Sequence, residues 1–234
     1  MKKATFIFVC VLFAFIAFLP ITVTLFSCFG YVFKLASYSL FAIITALLAV
    51  STVTLSIKAK DSIQNKAVSV LLAFTAPLSL INAVFYILEC STVSVIVSMF
   101  ICICCCGYLT VKYGKPLILK ITCLVLSALM LLPIGFLSFI ALAFGDLGEN
   151  IVVQTVKSPN GTYYAEVIDS DQGALGGDTL VDVYESWKID ALIFNISKKS
   201  QRVYSGEWGE FEDMNIYWKD ENCLVINATE YTIK

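Results

Sequence analysis

Histidine occurs nowhere among the 234 residues. Its absence removes the one side chain that ordinarily titrates near neutral pH. With it go Ser-His and Cys-His nucleophile pairs and every imidazole metal ligand. Charge is also scarce: Asp, Glu, Lys and Arg make up 15% of the chain, against about a quarter in ordinary globular domains. Arginine appears once, at Arg202, among fifteen lysines. That bias, with many isoleucines, points to an AT-rich bacterial source. A formal net charge of −2 gives no reason to expect a nucleic-acid partner. After residue 145 the only cysteine is Cys223, so an internal disulfide cannot brace that part of the chain.

What is abundant is apolar surface. Hydrophobic residues make up 59% of the sequence, and nearly all of the excess lies before residue 145. A helix needs about 20 apolar residues to cross a bilayer, because its backbone polar groups must be satisfied within the segment. Five stretches qualify, at about 4–26, 35–57, 67–88, 92–111 and 121–144. The fold class expected is therefore an α-helical transmembrane bundle of five spans over residues 1–145. A small all-β domain, an antiparallel meander or sandwich, would follow over 146–234.

The lysines give this bundle a direction. Lys2 and Lys3 precede the first span. Lys58, Lys60 and Lys66 lie between the second and third, and Lys112, Lys115 and Lys120 between the fourth and fifth. The opposite loops hold only Lys34, with Glu89, Asp146 and Glu149. The positive-inside rule then predicts a multi-pass plasma-membrane protein with a cytoplasmic N-terminus and an extracytoplasmic C-terminal domain. Charge also divides at Gly145. Nine lysines face two carboxylates before it, a balance of +7; seven basic residues face sixteen acidic ones after it, a balance of −9.

The first segment begins like a signal peptide, but its apolar run exceeds the 7–15 residues of an h-region, so an uncleaved helix is expected. Pro20, Pro77 and Pro133 fall inside spans, where they mark kinks. The span interiors carry no ionisable group of the kind that ion-coupled transport uses; Asn82 is their strongest polar residue. Cys102, Cys104, Cys105 and Cys106 look like a soft-metal set. On one helix, however, they point around more than half its circumference and cannot converge on one ion.

Beyond residue 150 the period shortens. Alternating aromatic and β-branched runs suggest strands near 151–156, 162–169, 179–185, 190–196, 201–205, 214–219, 222–226 and 229–233. Ser158-Pro159-Asn160-Gly161 reads as a tight turn, and Asp220-Glu221-Asn222 as the tip of a second hairpin. The phrases Ser158–Ala165 (SPNGTYYA) and Trp218–Ile226 (W-x-D-x-x-x-L-x-I) resemble those of an uncharacterised bacterial membrane-protein family. In that family a domain of unknown function follows membrane helices. The same phrases resemble single blades of Tol-Pal-type β-propellers. A full propeller needs about 4–8 blades, more than this chain can hold. The resemblance covers roughly the last 80 residues and implies no activity.

Two loops are candidate sites. Asp169, Asp171 and Asp178 lie in a glycine-rich hairpin whose carboxylates suggest a Ca²⁺ loop, although the spacing departs from an EF-hand. Trp208, Glu210 and Phe211 pair aromatic with acidic character, as protein-binding surfaces do. Taken together, these features suggest a non-enzymatic envelope protein without an obligatory cofactor. Its partners are the lipid bilayer and a cation, peptide or protein at the outer face. An immunity or accessory subunit acting through its helices is the alternative, ahead of a transporter.

Overall fold

The computed structural model describes residues 2–58, 66–90, 92–144, 149–173 and 176–233. Its helices are α1 (Lys2–Cys28), α2 (Tyr38–Lys58), α3 (Lys66–Glu89), α4 (Val93–Tyr113) and α5 (Leu117–Phe144). All five are long and apolar enough to cross a membrane, so the chain is a multi-pass membrane protein of five helices followed by an antiparallel β region. The chain divides into two compact units, 1–24 with 37–145, and 25–36 with 146–234.

In the helical unit, α4 packs against α2 and α3, and α3 also packs against α5. Val9, Leu12 and Ile16 of α1 join Ala49, Leu72, Cys102, Cys106 and Leu109 in one buried cluster. Small residues on the packed faces (Ala42, Ala46 and Ala49 of α2, Ala73 and Ala76 of α3) let the backbones approach closely. Pro77 lies inside α3, where it removes a backbone donor. One turn earlier, α4 reaches into the ladder of α3. The Thr110 hydroxyl donates to Leu72 O at 2.8 Å and accepts from Ala76 N at 3.2 Å. One side chain thus serves two backbone groups of α3, and Thr75 Oγ1 also donates to Leu72 O at 2.9 Å.

The four cysteines behave as their spacing requires. Cys102 and Cys106 are buried, Cys104 is exposed and Cys105 lies between, all free. Asn82 is fully buried, and neither polar atom of its amide has a partner among the described residues.

Among its described residues the second unit holds ten strands in three antiparallel sheets. Strands β2 (Glu149–Lys157), β3 (Tyr163–Asp171), β4 (Gly177–Glu185) and β7 (Gln201–Glu207) form a sheet in the order β2-β3-β4-β7. Strands β8 (Ile216–Asp220), β9 (Cys223–Ile226) and β10 (Thr229–Thr232) form a second in the order β10-β9-β8. Ala165, Val167, Val181 and Val183 from the first sheet pack on Ile216, Leu224 and Ile226 from the second, with Met214 just before β8. The small all-β domain is therefore a sandwich.

The third sheet changes the expected domain boundary. Its order is β1-β6-β5, from β1 (Tyr31–Leu35), β6 (Phe194–Lys198) and β5 (Lys188–Asp190). The β unit is therefore wider than 146–234, because the loop between the first two spans contributes its strand β1. The expected second span at 35–57 begins at Tyr38 instead. The single strand expected at 190–196 is two strands, separated by the turn at 191–193.

Candidate functional site

The two turn phrases that stood out in the sequence are one physical unit. Glu221, at the β8–β9 turn, accepts from Ser158 Oγ and from Asn160 N, both at 2.7 Å, and from Thr162 N at 3.1 Å. Gly161 takes φ +72°, which a side chain would oppose. Trp218 donates its indole N–H to Val156 O at 3.0 Å and stacks on Tyr163 at 6.2 Å. Partial burial raises the Glu221 carboxyl, but the hydrogen bonds to Ser158, Asn160 and Thr162 outweigh it and hold the group below its ordinary value. This end of the sandwich is a latch, with both Glu221 carboxylate oxygens engaged by the Ser158–Thr162 turn.

The opposite end of β3 and β4 carries the acidic hairpin. Register decides what its carboxylates can do. Asp169 lies opposite Thr179, and Asp171 opposite Gly177. By strand alternation both share the face of Ala165 and Val167. Asp178 lies opposite Ser170, so it projects from the other face. The structure thus does not bring Asp169, Asp171 and Asp178 together as a Ca²⁺ loop would. Each has a separate bond: Asp171 Oδ1 accepts from Gly173 N at 2.7 Å, Asp169 Oδ1 from Trp208 Nε1 at 3.1 Å, and Asp178 Oδ2 from Gln172 Nε2 at 3.0 Å. Among the described residues no three His, Cys, Asp or Glu groups are placed to hold a metal ion.

Trp208, Glu210 and Phe211 follow β7 through Gly209, at φ +83°, and a 3-10 turn at Glu210–Asp213. The Glu210 carboxylate accepts from Tyr204 OH at 2.5 Å and from Glu207 N at 3.1 Å. That bond, reinforced by partial burial, pushes the Tyr204 hydroxyl up to about 12. Phe211 packs on the sandwich core, and its backbone N–H reaches Thr179 Oγ1 at 3.3 Å. Glu210 and Phe211 therefore fasten the loop to the sheet. Trp208 differs: it is 57% exposed and lies over Gly177, where an added Cβ would come within 2.7 Å of its ring.

The Asp169–Trp208 bond joins the two loops that the sequence presented as separate sites. Spacing along the chain could not reveal this, since 39 residues intervene. A second feature was equally hidden. Asp178 lies directly opposite Glu207 across the β4–β7 ladder, a like-charge pair that destabilises a sheet. Arg202 is within electrostatic reach of Asp178, but its hydrogen bonds, of 2.8 and 3.0 Å, go to Asp182. The result is an acidic end to the sheet, with Asp178 and Glu207 on one face and Asp169, Asp171 and the exposed indole on the other. No protein-family model, curated protein or solved structure matches the chain.

Proposed function

We propose that this is a non-enzymatic protein of a bacterial plasma membrane whose β-sandwich recognises a basic segment of a partner protein. The N-terminus lies in the cytoplasm and the sandwich outside, a direction supported by eight lysines on alternate loops of the helical unit. The observation that carries the reading is the opposed pair Asp178 and Glu207 across the β4–β7 ladder; the exposed Trp208 indole lies at the same end of the sheet, on the face of Gly177. An arriving lysine or arginine relieves the like-charge repulsion, and a basic segment that wraps this end of the sheet also reaches the π-face of the indole. A free metal ion is a poorer occupant, because the carboxylates project to different faces of the sheet.

The test uses the full chain in phosphatidylcholine nanodiscs and a tetra-arginine peptide as probe. Binding is read from the fluorescence anisotropy of a dye carried by the peptide, so that every variant is measured in the same way. Binding should weaken several-fold in Trp208→Ala and in Glu207→Gln, and should fall with added salt. Equal binding by parent and both variants, or none by the parent, would remove the proposal.

A helix-centred reading, as an immunity or accessory subunit, draws on one specific observation: α5 is the most exposed of the five candidate spans. Deleting 146–234 and following a co-purifying partner separates the two. Retention favours the helices; loss favours the sandwich.

A further inference from the structure

We propose that the β5–β6 hairpin is a membrane-surface anchor, its apolar tip lodged in the lipid headgroup layer. The hairpin exposes large apolar side chains in quick succession: Trp187 at 45% and Ile189 at 45% along β5, then Leu192 at 95% and Ile193 at 50% at the tip. The two charges among them cancel, since Lys188 Nζ lies 2.7 Å from Asp190 Oδ2. An uncharged, outward-facing apolar tip is what a bilayer surface accepts and water does not.

Covalent continuity says what covers it. Strand β1 runs directly between two membrane-spanning helices, from Cys28 at the end of α1 to Tyr38 at the start of α2. The hairpin is registered on that strand. Leu35 pairs with Phe194, and Ala36 N donates to Ile193 O at 3.1 Å. Ile193 thus sits level with a residue two positions before α2, within about 7 Å of the span along the chain. At the other end Trp187 meets the Tyr31 ring at 5.6 Å, three residues beyond the last residue of α1. Both ends of the sheet are therefore joined to candidate spans by only two or three residues of chain. Aromatic residues concentrate at the membrane–water interface in membrane proteins, and here Phe26, Phe33 and Phe194 join Tyr31 and Trp187 in successive ring contacts. The inference holds on whichever side of the membrane the sheet lies.

The experiment reconstitutes the full chain in phosphatidylcholine vesicles whose acyl chains are brominated at shallow or deep positions. Trp187→Phe, Trp208→Phe and Trp218→Phe clear the background, and Leu192→Trp places the probe at the tip. The expected result is quenching by shallow bromines, shielding from aqueous acrylamide, and no change in 1 M salt. Acrylamide quenching as strong as that of free tryptophan would overturn the proposal. So would shielding without bromine quenching, because a protein surface would then cover the tip. A second chain that keeps native Trp187 and lacks Trp208 and Trp218 repeats the measurement without altering the hairpin. It should give the same depth.

Discussion

The third sheet makes a sharp prediction about where the β unit ends. A fragment covering 149–233 has every strand except β1. In the whole chain, β1 pairs with β6 over five residues. Two flanking bonds, Lys199 N to Gly30 O at 2.9 Å and Ala36 N to Ile193 O at 3.1 Å, extend the attachment. Phe33 and Leu35 are each only 5% exposed. Burying two such side chains contributes about 3–6 kcal/mol, and the Phe33–Phe194 ring pair at 5.5 Å adds about 1 kcal/mol. Without β1, the sheet is reduced to β5 and β6, which pair over three residues. A lone two-stranded hairpin is marginal in water. The sandwich core, by contrast, draws no buried residue from β1, β5 or β6. The fragment should therefore keep its sandwich and lose its hairpin. Amide hydrogen exchange reads this directly. Protection at 194–198 should fall by about 10²–10⁴ relative to the full chain, while 163–171 and 223–226 stay within about tenfold. A peptide of residues 29–37 added in trans should restore part of the loss. If 194–198 remain as protected in the fragment as in the full chain, the role assigned to β1 is wrong.

Three further outcomes follow from the bonds described above. Thr110→Val leaves Leu72 O without its 2.8 Å donor and Ala76 N without its 3.2 Å acceptor; it should cost about 1–3 kcal/mol in detergent thermal unfolding, with Thr110→Ser recovering most of it. Glu221 is held below the ordinary 4.5, so its contribution is complete above that value and is lost as pH falls through the lowered one. Glu221→Gln should accordingly melt below the parent near about pH 7, with the gap closing towards about pH 3. Ala228 sits at φ +66° beside Asn227 at φ +49° in the β9–β10 turn, where an alanine is strained; Ala228→Gly should stabilise the sandwich by about 1 kcal/mol in chemical denaturation.

The sequence by itself determined the spans, because a bilayer admits only segments that satisfy their own backbone. Apolar runs of the right length therefore have one reading. It also determined most sandwich strands and the Ser158–Gly161 turn, whose signals are local: period-two alternation, proline and glycine. Strand β1 escaped because Tyr-Val-Phe-Lys-Leu lies between two longer apolar runs, and hydropathy does not separate five extended residues from the helices beside them. The break at 191–193 escaped for a related reason: Ala-Leu-Ile is apolar and lacks the usual turn residues. Only the tertiary structure could decide the site. A one-residue change of register turns every side chain to the other face, so composition that promised three converging carboxylates could not say that Asp178 points away from Asp169 and Asp171. Nor could it place Trp208 on Asp169, or Asp178 opposite Glu207. Those contacts exist because β7 pairs with β4 and carries its loop back over the acidic hairpin, and strand order in a sheet is settled by packing between distant parts of the chain.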